Sequence, residues 1–214
     1  MSGEEVAQAH PGTPSEAWTT LMAGNARFVE GTSNHPNQDA ARRASLLSTQ
    51  HPFVQIFGCS DSRLAAEIIF DLGLGDAFVV RTAGHVIDNT ALGSLEYGVE
   101  YLDVPLIVVL GHDNCGAVTA TKSAVDTGNM PAGFVRDLVE RITPSVLASL
   151  RKNKVSSVNE MVEEHVKQTA SRLVENSPII ATAVARQRTA VVGLTYRLED
   201  GRADLVYSNG HIGS

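Results

Sequence analysis

The chain has few cysteines and no long apolar run. Its 214 residues include only two cysteines, Cys59 and Cys115, which do not make a disulfide framework. No apolar stretch approaches the roughly 18 residues needed for a membrane span. Residues 1–14 are polar and lack the basic start and apolar core of a signal peptide. These absences predict a cytoplasmic protein with reduced thiols and no membrane partner.

The chain also has fewer basic than acidic residues. The chain has 17 Lys and Arg against 24 Asp and Glu, a formal charge of −7, so it lacks the basic footprint of a nucleic-acid-binding protein. Hydrophobic residues make up 43% of the sequence, which argues against disorder and provides for a substantial core. We expect a flexible tail over residues 1–14 and a single domain over residues 15–214.

Short apolar segments alternate with helical patterns along the chain. Ser15 is expected to cap an N-terminal helix that ends at Gly31. Strands without polar alternation, separated by helices, predict an α/β fold with a mainly parallel sheet covered on both faces. The predicted strands are Phe53–Phe57, Ala77–Arg81, Val104–Leu110, Ala190–Leu198 and Ala203–Tyr207, the last two forming a hairpin around Glu199-Asp200-Gly201.

Two polar motifs follow predicted strands: Cys59-Ser-Asp61-Ser-Arg63 and His112-Asp-Asn-Cys115. Since sites in open α/β sheets form at the carboxyl ends of strands, two neighbouring strands would bring these motifs together. Two thiolates and an imidazole suit zinc. Asp61 is then either a fourth ligand or a group that leaves this position open for water.

The charge of such a site matters for its chemistry. Two thiolates cancel the charge of zinc, so the metal alone should acidify water less than in a site of three histidines. A helper that accepts the proton of the water is then needed. Asp61 can fill that role, and Arg63 can fix its carboxylate with a bidentate pair and keep it ionised.

Simpler interpretations exist for each part. Buried cysteines in a cytosolic protein are often inert apolar residues, and a Ser-Asp-Ser-Arg turn is often only a helix cap. A thiol redox site is disfavoured because there is no Cys-x-x-Cys motif. The coincidence of both cysteines with a His and an Asp at matching strand ends favours the metal site.

The paired motifs resemble those of β-class carbonic anhydrases. Gly58-Cys-Ser-Asp-Ser-Arg63 with Ala66-Glu67, and Gly111-His-x-x-Cys-Gly116, match both family signatures, and the resemblance extends from about Trp18 to Tyr207. It implies a mainly parallel sheet flanked by helices, an N-terminal helical arm that packs on a partner, and a homodimer that in many members forms a homotetramer.

The resemblance also implies roles for individual residues. Cys59, His112 and Cys115 would bind Zn²⁺, and Asp61 and Arg63 would form the catalytic dyad, with Asp61 a conditional metal ligand in a closed, inactive state. The residues implied to bind substrate are Gln50, donated across the dimer interface, the aromatic walls Phe78 and Tyr97, and Ala83 and Gly116. By themselves, Phe78 and Tyr97 would be interpreted as core residues, and Gln50 as a solvated helix end.

Three further positions carry expectations from the same resemblance. Arg81 and Tyr196 match two residues of an inhibitory bicarbonate site found in some members. Where that site has a tryptophan, this chain has Ile56, so inhibition by bicarbonate at this site is expected to be absent or weak. His85, after the second strand, is considered as a proton shuttle, although a plain loop histidine is the preferred interpretation.

The predicted activity is reversible hydration of CO2 to bicarbonate and a proton. One alternative is a hydrolase of CS2 or COS with the same fold and zinc ligands. Another is a non-catalytic, zinc-stabilised interaction protein, in which Asp61 closes the site permanently.

Overall fold

A five-stranded sheet forms the centre of the protein. The computed structural model describes residues 11–213. The sheet order is β2-β1-β3-β4-β5, with the first four strands parallel and β5 antiparallel to β4. The strands are β1 Val54–Cys59, β2 Ala77–Thr82, β3 Leu106–His112, β4 Ala190–Tyr196 and β5 Ala203–Asn209. The predicted α/β fold and the C-terminal hairpin are thus confirmed.

Helices cover both faces of this sheet. They are α1 Pro14–Glu30, α2 Ala40–Ser45, α3 Ala66–Ile69, α4 Asn89–Tyr101, α5 Gly116–Thr127, α6 Val135–Lys152, α7 Val158–Asn176 and α8 Pro178–Ala185, with a short 3₁₀ helix over Ala83–His85. Every residue of β1 and β3 is buried, as expected for central strands that are apolar throughout. None of the helices between residues 11 and 213 combines the length and apolarity needed to cross a bilayer.

The N-terminal helix begins slightly earlier than expected. Thr13, not Ser15, is the N-cap: its side chain accepts the Glu16 N–H, and the Glu16 carboxylate accepts the Thr13 N–H. This capping box, with Pro14 at the first helical position, explains the earlier start. Gly31 ends the helix in the left-handed conformation, as predicted. Residues 1–10 of the predicted tail lie outside the described residues.

Buried polar contacts attach α1 to the rest of its own chain. Asn25 donates to the carbonyls of Ile69 and Gly201 at 3.1 and 2.9 Å, and its carbonyl accepts the Ala203 N–H at 3.0 Å. Arg27 pairs with the buried carboxylate of Asp71 at 2.6 Å. These contacts position α1 against α3 and the β4–β5 hairpin.

Candidate metal centre and active site

The two motifs meet at the carboxyl end of the sheet. Cys59 is the last residue of β1 and His112 the last of the neighbouring strand β3, while Cys115 is the N-cap of α5. One ligand atom from each lies within 4.8 Å of the others, and all three residues are buried. The predicted convergence of the motifs is therefore confirmed.

The tautomer of His112 leaves an acceptor facing this cluster. Nδ1 lies 2.8 Å from the carbonyl oxygen of Asp113, which can only accept, so Nδ1 carries the proton. Nε2 is buried and has no hydrogen-bond partner among the described residues. A buried lone pair beside two free thiols is costly unless a cation binds it, and this donor set suits zinc.

The protonation of the two thiols also fits a cation. Hydrogen bonding with Cys115 lowers the pKa of Cys59 to about 4. The same contact, together with burial, raises the pKa of Cys115. Burial acts to lower the pKa of His112, but the negative charge of the neighbouring Cys59 raises it overall. The cluster thus already stabilises one thiolate, and a divalent cation would stabilise the second.

Asp61 and Arg63 form a bidentate pair beside the cluster. Arg63 Nε lies 2.9 Å from Asp61 Oδ1, and Nη2 lies 2.8 Å from Oδ2. Hydrogen bonding from Arg63 holds the pKa of Asp61 well below its usual range, so the carboxylate is ionised. Oδ2 is 3.8 Å from His112 Nε2, which places the carboxylate next to the ligand set.

A second arginine braces the loop that carries this pair. Arg81 donates from Nε to the Cys59 carbonyl at 2.9 Å and from Nη2 to the Asp61 carbonyl at 2.6 Å. The family resemblance relates Arg81 only to an inhibitory bicarbonate site, and no local pattern in the sequence indicates this bracing role. Ile56 and Tyr196 are both buried, and the absence of that inhibition stays a prediction.

A hydrogen-bonded chain supports Cys59 from the other side. Gly84 donates its N–H to Cys59 Sγ at 3.2 Å, and its carbonyl lies 2.9 Å from His165 Nε2. The other ring nitrogen of His165 lies 2.9 Å from Ser145 Oγ. Gly84 has φ +63°, and a Cβ there would meet the Ala117 Cβ at 2.8 Å, so glycine is required. His165 and Ser145 could not be predicted from the sequence, because they lie far along the chain from Cys59, on α7 and α6.

His85 is neither an exposed loop residue nor placed to reach solvent. Its side chain is fully buried, and neither ring nitrogen has a hydrogen-bond partner among the described residues. Its ring centroid lies 4.5 Å from that of His165. Burial holds the pKa of His85 well below its ordinary value, so the imidazole stays neutral. This environment speaks against a proton shuttle at His85.

Two of the predicted substrate residues lie next to the cluster. Ala83 directly follows Thr82, which pairs with Cys59 in the β1–β2 register. Gly116 directly follows Cys115, and a Cβ built on it would meet no atom within 4 Å. Open space beside the ligands is what a small substrate requires.

The other three predicted substrate residues lie away from the Cys59, His112 and Cys115 cluster. Phe78 pairs with Gln55 near the start of β1, at the opposite end from Cys59. Gln50 is exposed and lines a cavity with Gly75, close to the amino end of β2.

Tyr97 stacks on Phe78 at 6.1 Å and is 45% exposed, so its interpretation as a core residue is wrong. Phe78 is itself only partly buried on the edge strand β2. A single chain thus does not bring Gln50, Phe78 and Tyr97 to the metal ligands.

Comparisons with known proteins agree with this geometry. The family model for carbonic anhydrase matches residues 54–203. A carbonic anhydrase of Mycolicibacterium smegmatis is 58% identical over 94% of this chain and 97% of its own length. Carbonic anhydrase 2 of Mycobacterium tuberculosis is 54% identical over 94% of this chain and 96% of its own length.

Solved structures show the same relationship. A Coccomyxa β-carbonic anhydrase in complex with acetazolamide superposes with a TM-score of 0.71 at 25% identity, covering 89% of this chain and 87% of that one. The β-carbonic anhydrase CafA of Aspergillus fumigatus gives 0.70 at 26% identity, covering 88% and 89%. The protein whose sequence places Cys59, His112 and Cys115 around one point thus belongs to the β-class carbonic anhydrase family.

Proposed function

We propose that this carbonic anhydrase catalyses the zinc-dependent, reversible hydration of CO2 to bicarbonate and a proton. The observation that carries the proposal is the Nε2 atom of His112, which has no hydrogen-bond partner between residues 11 and 213 and faces two free thiols beside an ionised Asp61. Cys59, His112 and Cys115 would hold the zinc ion. When bound, zinc supplies a Lewis acid that lowers the pKa of water and makes a nucleophile available near neutral pH.

Asp61 and Arg63 would supply what this ligand set lacks. Two thiolates cancel the charge of the metal, so a base beside it is needed to accept the proton of the attacking water. Asp61 is ionised, adjacent to His112 and fixed by two hydrogen bonds from Arg63. Such a carboxylate can orient a water molecule toward CO2 bound over Ala83 and Gly116.

Asp61 would also act as a switch on the site. Its Oδ2 lies 3.8 Å from His112 Nε2, so a rotation of the side chain would bring it to the metal in place of water. Arg63 opposes that rotation by holding both carboxylate oxygens. We therefore expect a closed, inactive state when this pair breaks. We also expect activity that rises with pH, because a metal held by two thiolates acidifies water only weakly.

A homodimer would complete the substrate pocket. Gln50, Phe78 and Tyr97 are remote from the metal ligands of their own chain, and β2 is an edge strand that is partly exposed along its length. Tyr97 also stacks on Tyr101 at 5.0 Å, and Tyr101 is 73% exposed. This aromatic surface beside a free edge suits a second copy of the chain, and a homotetramer would be built from such dimers.

The alternatives predict different results. A CS2 or COS hydrolase would share the ligands, and a side-by-side assay of CO2 and CS2 separates the two activities. A non-catalytic zinc protein requires Asp61 to close the site permanently, whereas Arg63 holds it in a bidentate pair. The cytoplasmic location stays a prediction.

The decisive experiment compares Asp61→Asn with wild type. Zinc content measured by atomic absorption should stay near one ion per chain, whereas stopped-flow CO2 hydration between pH 6.5 and 9 should fall by about 10²-fold or more. Asp103→Asn is the matched control, since Asp103 is exposed and precedes the amino end of β3, the end opposite to His112. A normal rate for Asp61→Asn would remove Asp61 from the mechanism, and a zinc-free, inactive wild-type protein would contradict the proposal as a whole.

A further inference from the structure

A cavity opens between the amino end of α4 and helices α6 and α7. We call it the α4–α6–α7 cavity, and its volume is about 540 Å³. Its mouth includes the exposed residues Asn89, Arg141 and Asn176, whereas His165 and Thr169 at its floor are buried. It is thus a concave site of a size that suits a small molecule.

Two arginines from different helices line this cavity. Within residues 11–213, neither forms an ion pair with a carboxylate. Arg141 donates from Nη1 to the Ile87 carbonyl at 3.1 Å, and Arg172 has only a long contact of 3.5 Å to Gln168 Oε1. Each guanidinium carries five N–H donors, so most of these donors have no protein partner.

The charge balance inside the cavity is positive. Asp88 is the single acid among its lining residues, and its carboxylate already accepts the Ala91 N–H at 2.7 Å as the N-cap of α4. Burial lowers the pKa of His165 to about 4, so this residue adds no charge at neutral pH. With two positive groups and one acid, the cavity carries a net positive charge, although the chain as a whole has a formal charge of −7.

Three neutral polar side chains of the cavity are also free to bind a ligand. The side chains of Asn89, Asn176 and Thr169 make no hydrogen bond to other residues in the described part of the chain. Ile87, Leu92 and Pro144 form an apolar part of the wall. The cavity therefore combines hydrogen-bond donors for an oxyanion with a surface that can contact a carbon skeleton.

We propose that the α4–α6–α7 cavity binds a small organic anion, whose carboxylate or phosphate group is held by Arg141 and Arg172. Guanidinium groups bind both kinds of oxyanion in a bidentate manner, which is why the two sources share one recognition chemistry. The apolar wall selects an anion with a short carbon skeleton over a bare inorganic ion. This site is separate from the metal centre, and its occupant takes no part in CO2 hydration.

Isothermal titration calorimetry on the zinc-loaded protein tests the proposal with three probes: succinate, glycerol 3-phosphate and inorganic phosphate. At least one organic probe should bind saturably with one site per chain, and more tightly than inorganic phosphate. Arg141→Gln and Arg172→Gln should each weaken that binding by about tenfold or more, whereas both should retain CO2 hydration. Arg151→Gln is the matched control, because Arg151 is an exposed residue of α6 outside the cavity and should leave binding unchanged.

Three results would overturn this assignment. The first is no saturation with either organic probe up to about 50 mM, a range that would detect even weak binding. The second is binding that neither arginine substitution affects, which would place the anion elsewhere, for example at the metal centre. The third is inorganic phosphate binding as tightly as the organic probes. If Arg172→Gln fails to fold, Arg172→Lys serves instead, since it keeps the charge but loses the bidentate geometry and should still weaken binding.

Discussion

Gln55 is a polar side chain buried in the core with no hydrogen-bond partner in the described part of the chain, and replacing it should stabilise the protein. It lies near the start of β1, with no exposed surface, between Phe78 on β2 and Ile107 on β3. Neither Oε1 nor Nε2 has a hydrogen-bond partner among the described residues. The amide packs against α4 at Gly98, where even a Cβ would come within 1.7 Å of Oε1.

The size of the effect follows from the desolvation of this amide. Burying an uncompensated amide costs about 1–3 kcal/mol in proteins. Methionine has a similar length and no need of hydrogen bonds, so Gln55→Met removes that cost without creating a cavity. We expect the free energy of unfolding to rise by about 1–3 kcal/mol, and the melting temperature by about 2–4 °C for each kcal/mol.

Guanidinium chloride denaturation of the zinc-loaded proteins, at equal protein concentration, measures this change. Gln168→Met is the matched control. Its amide lies 3.0 Å from Ser145 Oγ and donates to Glu164 at 2.8 Å, so the same substitution should destabilise there. If Gln55→Met left the free energy of unfolding unchanged or lowered it, the Gln55 amide would have to form hydrogen bonds in solution. The claim that this amide is buried without a partner would then be wrong.

Three further predictions concern packing, protonation and metal. Gly111→Ala should destabilise the protein by about 1–3 kcal/mol in thermal unfolding, because its Cβ would lie 2.4 Å from Val166 Cγ2. Burial lowers the pKa of His165 to about 4, so the unfolded chain binds a proton that the folded chain does not. Stability should therefore fall between about pH 6.5 and 4, by about 3 kcal/mol from this residue, and denaturation of His165→Gln at several pH values should show a shallower slope. Removing metal with a chelator should lower the melting temperature, because Cys59, His112 and Cys115 are buried; added zinc, but not magnesium, should restore it.

The sequence predicted the parts of the fold that depend on local pattern. Apolar strands alternating with helices gave the parallel sheet, because such strands are buried on both faces irrespective of distant residues. Cys59 and His112 could be placed together because each ends a strand, and the carboxyl ends of parallel strands share one edge. The start of the first helix was harder to predict, because Thr13 and Ser15 are both good N-cap residues. The reciprocal hydrogen bonds between Thr13 and Glu16 make Thr13 the N-cap.

The rest depends on contacts between distant segments, which a single sequence does not reveal. His165 reaches the Gly84 carbonyl only because α7 packs beside the 3₁₀ helix. Arg81 looked like a binding residue, but strand pairing places it where it braces the loop after β1. Without the family resemblance, Tyr97 would be interpreted as a core residue from its place in an apolar helix, yet α4 presents it at the edge strand β2. In each case, the partner is set by packing and not by neighbours in the chain.

The three hydrogen bonds of Asn25 set a lower limit on the smallest part of this chain that can fold. Its single side chain satisfies the carbonyls of Ile69 and Gly201 and the N–H of Ala203, all in buried surroundings. A chain shortened to begin after Gly31 would leave these backbone groups without partners in the interior. Although α1 lies at the periphery of the sheet, it cannot be removed or exchanged as a separate module, and any redesign of this family member has to retain it.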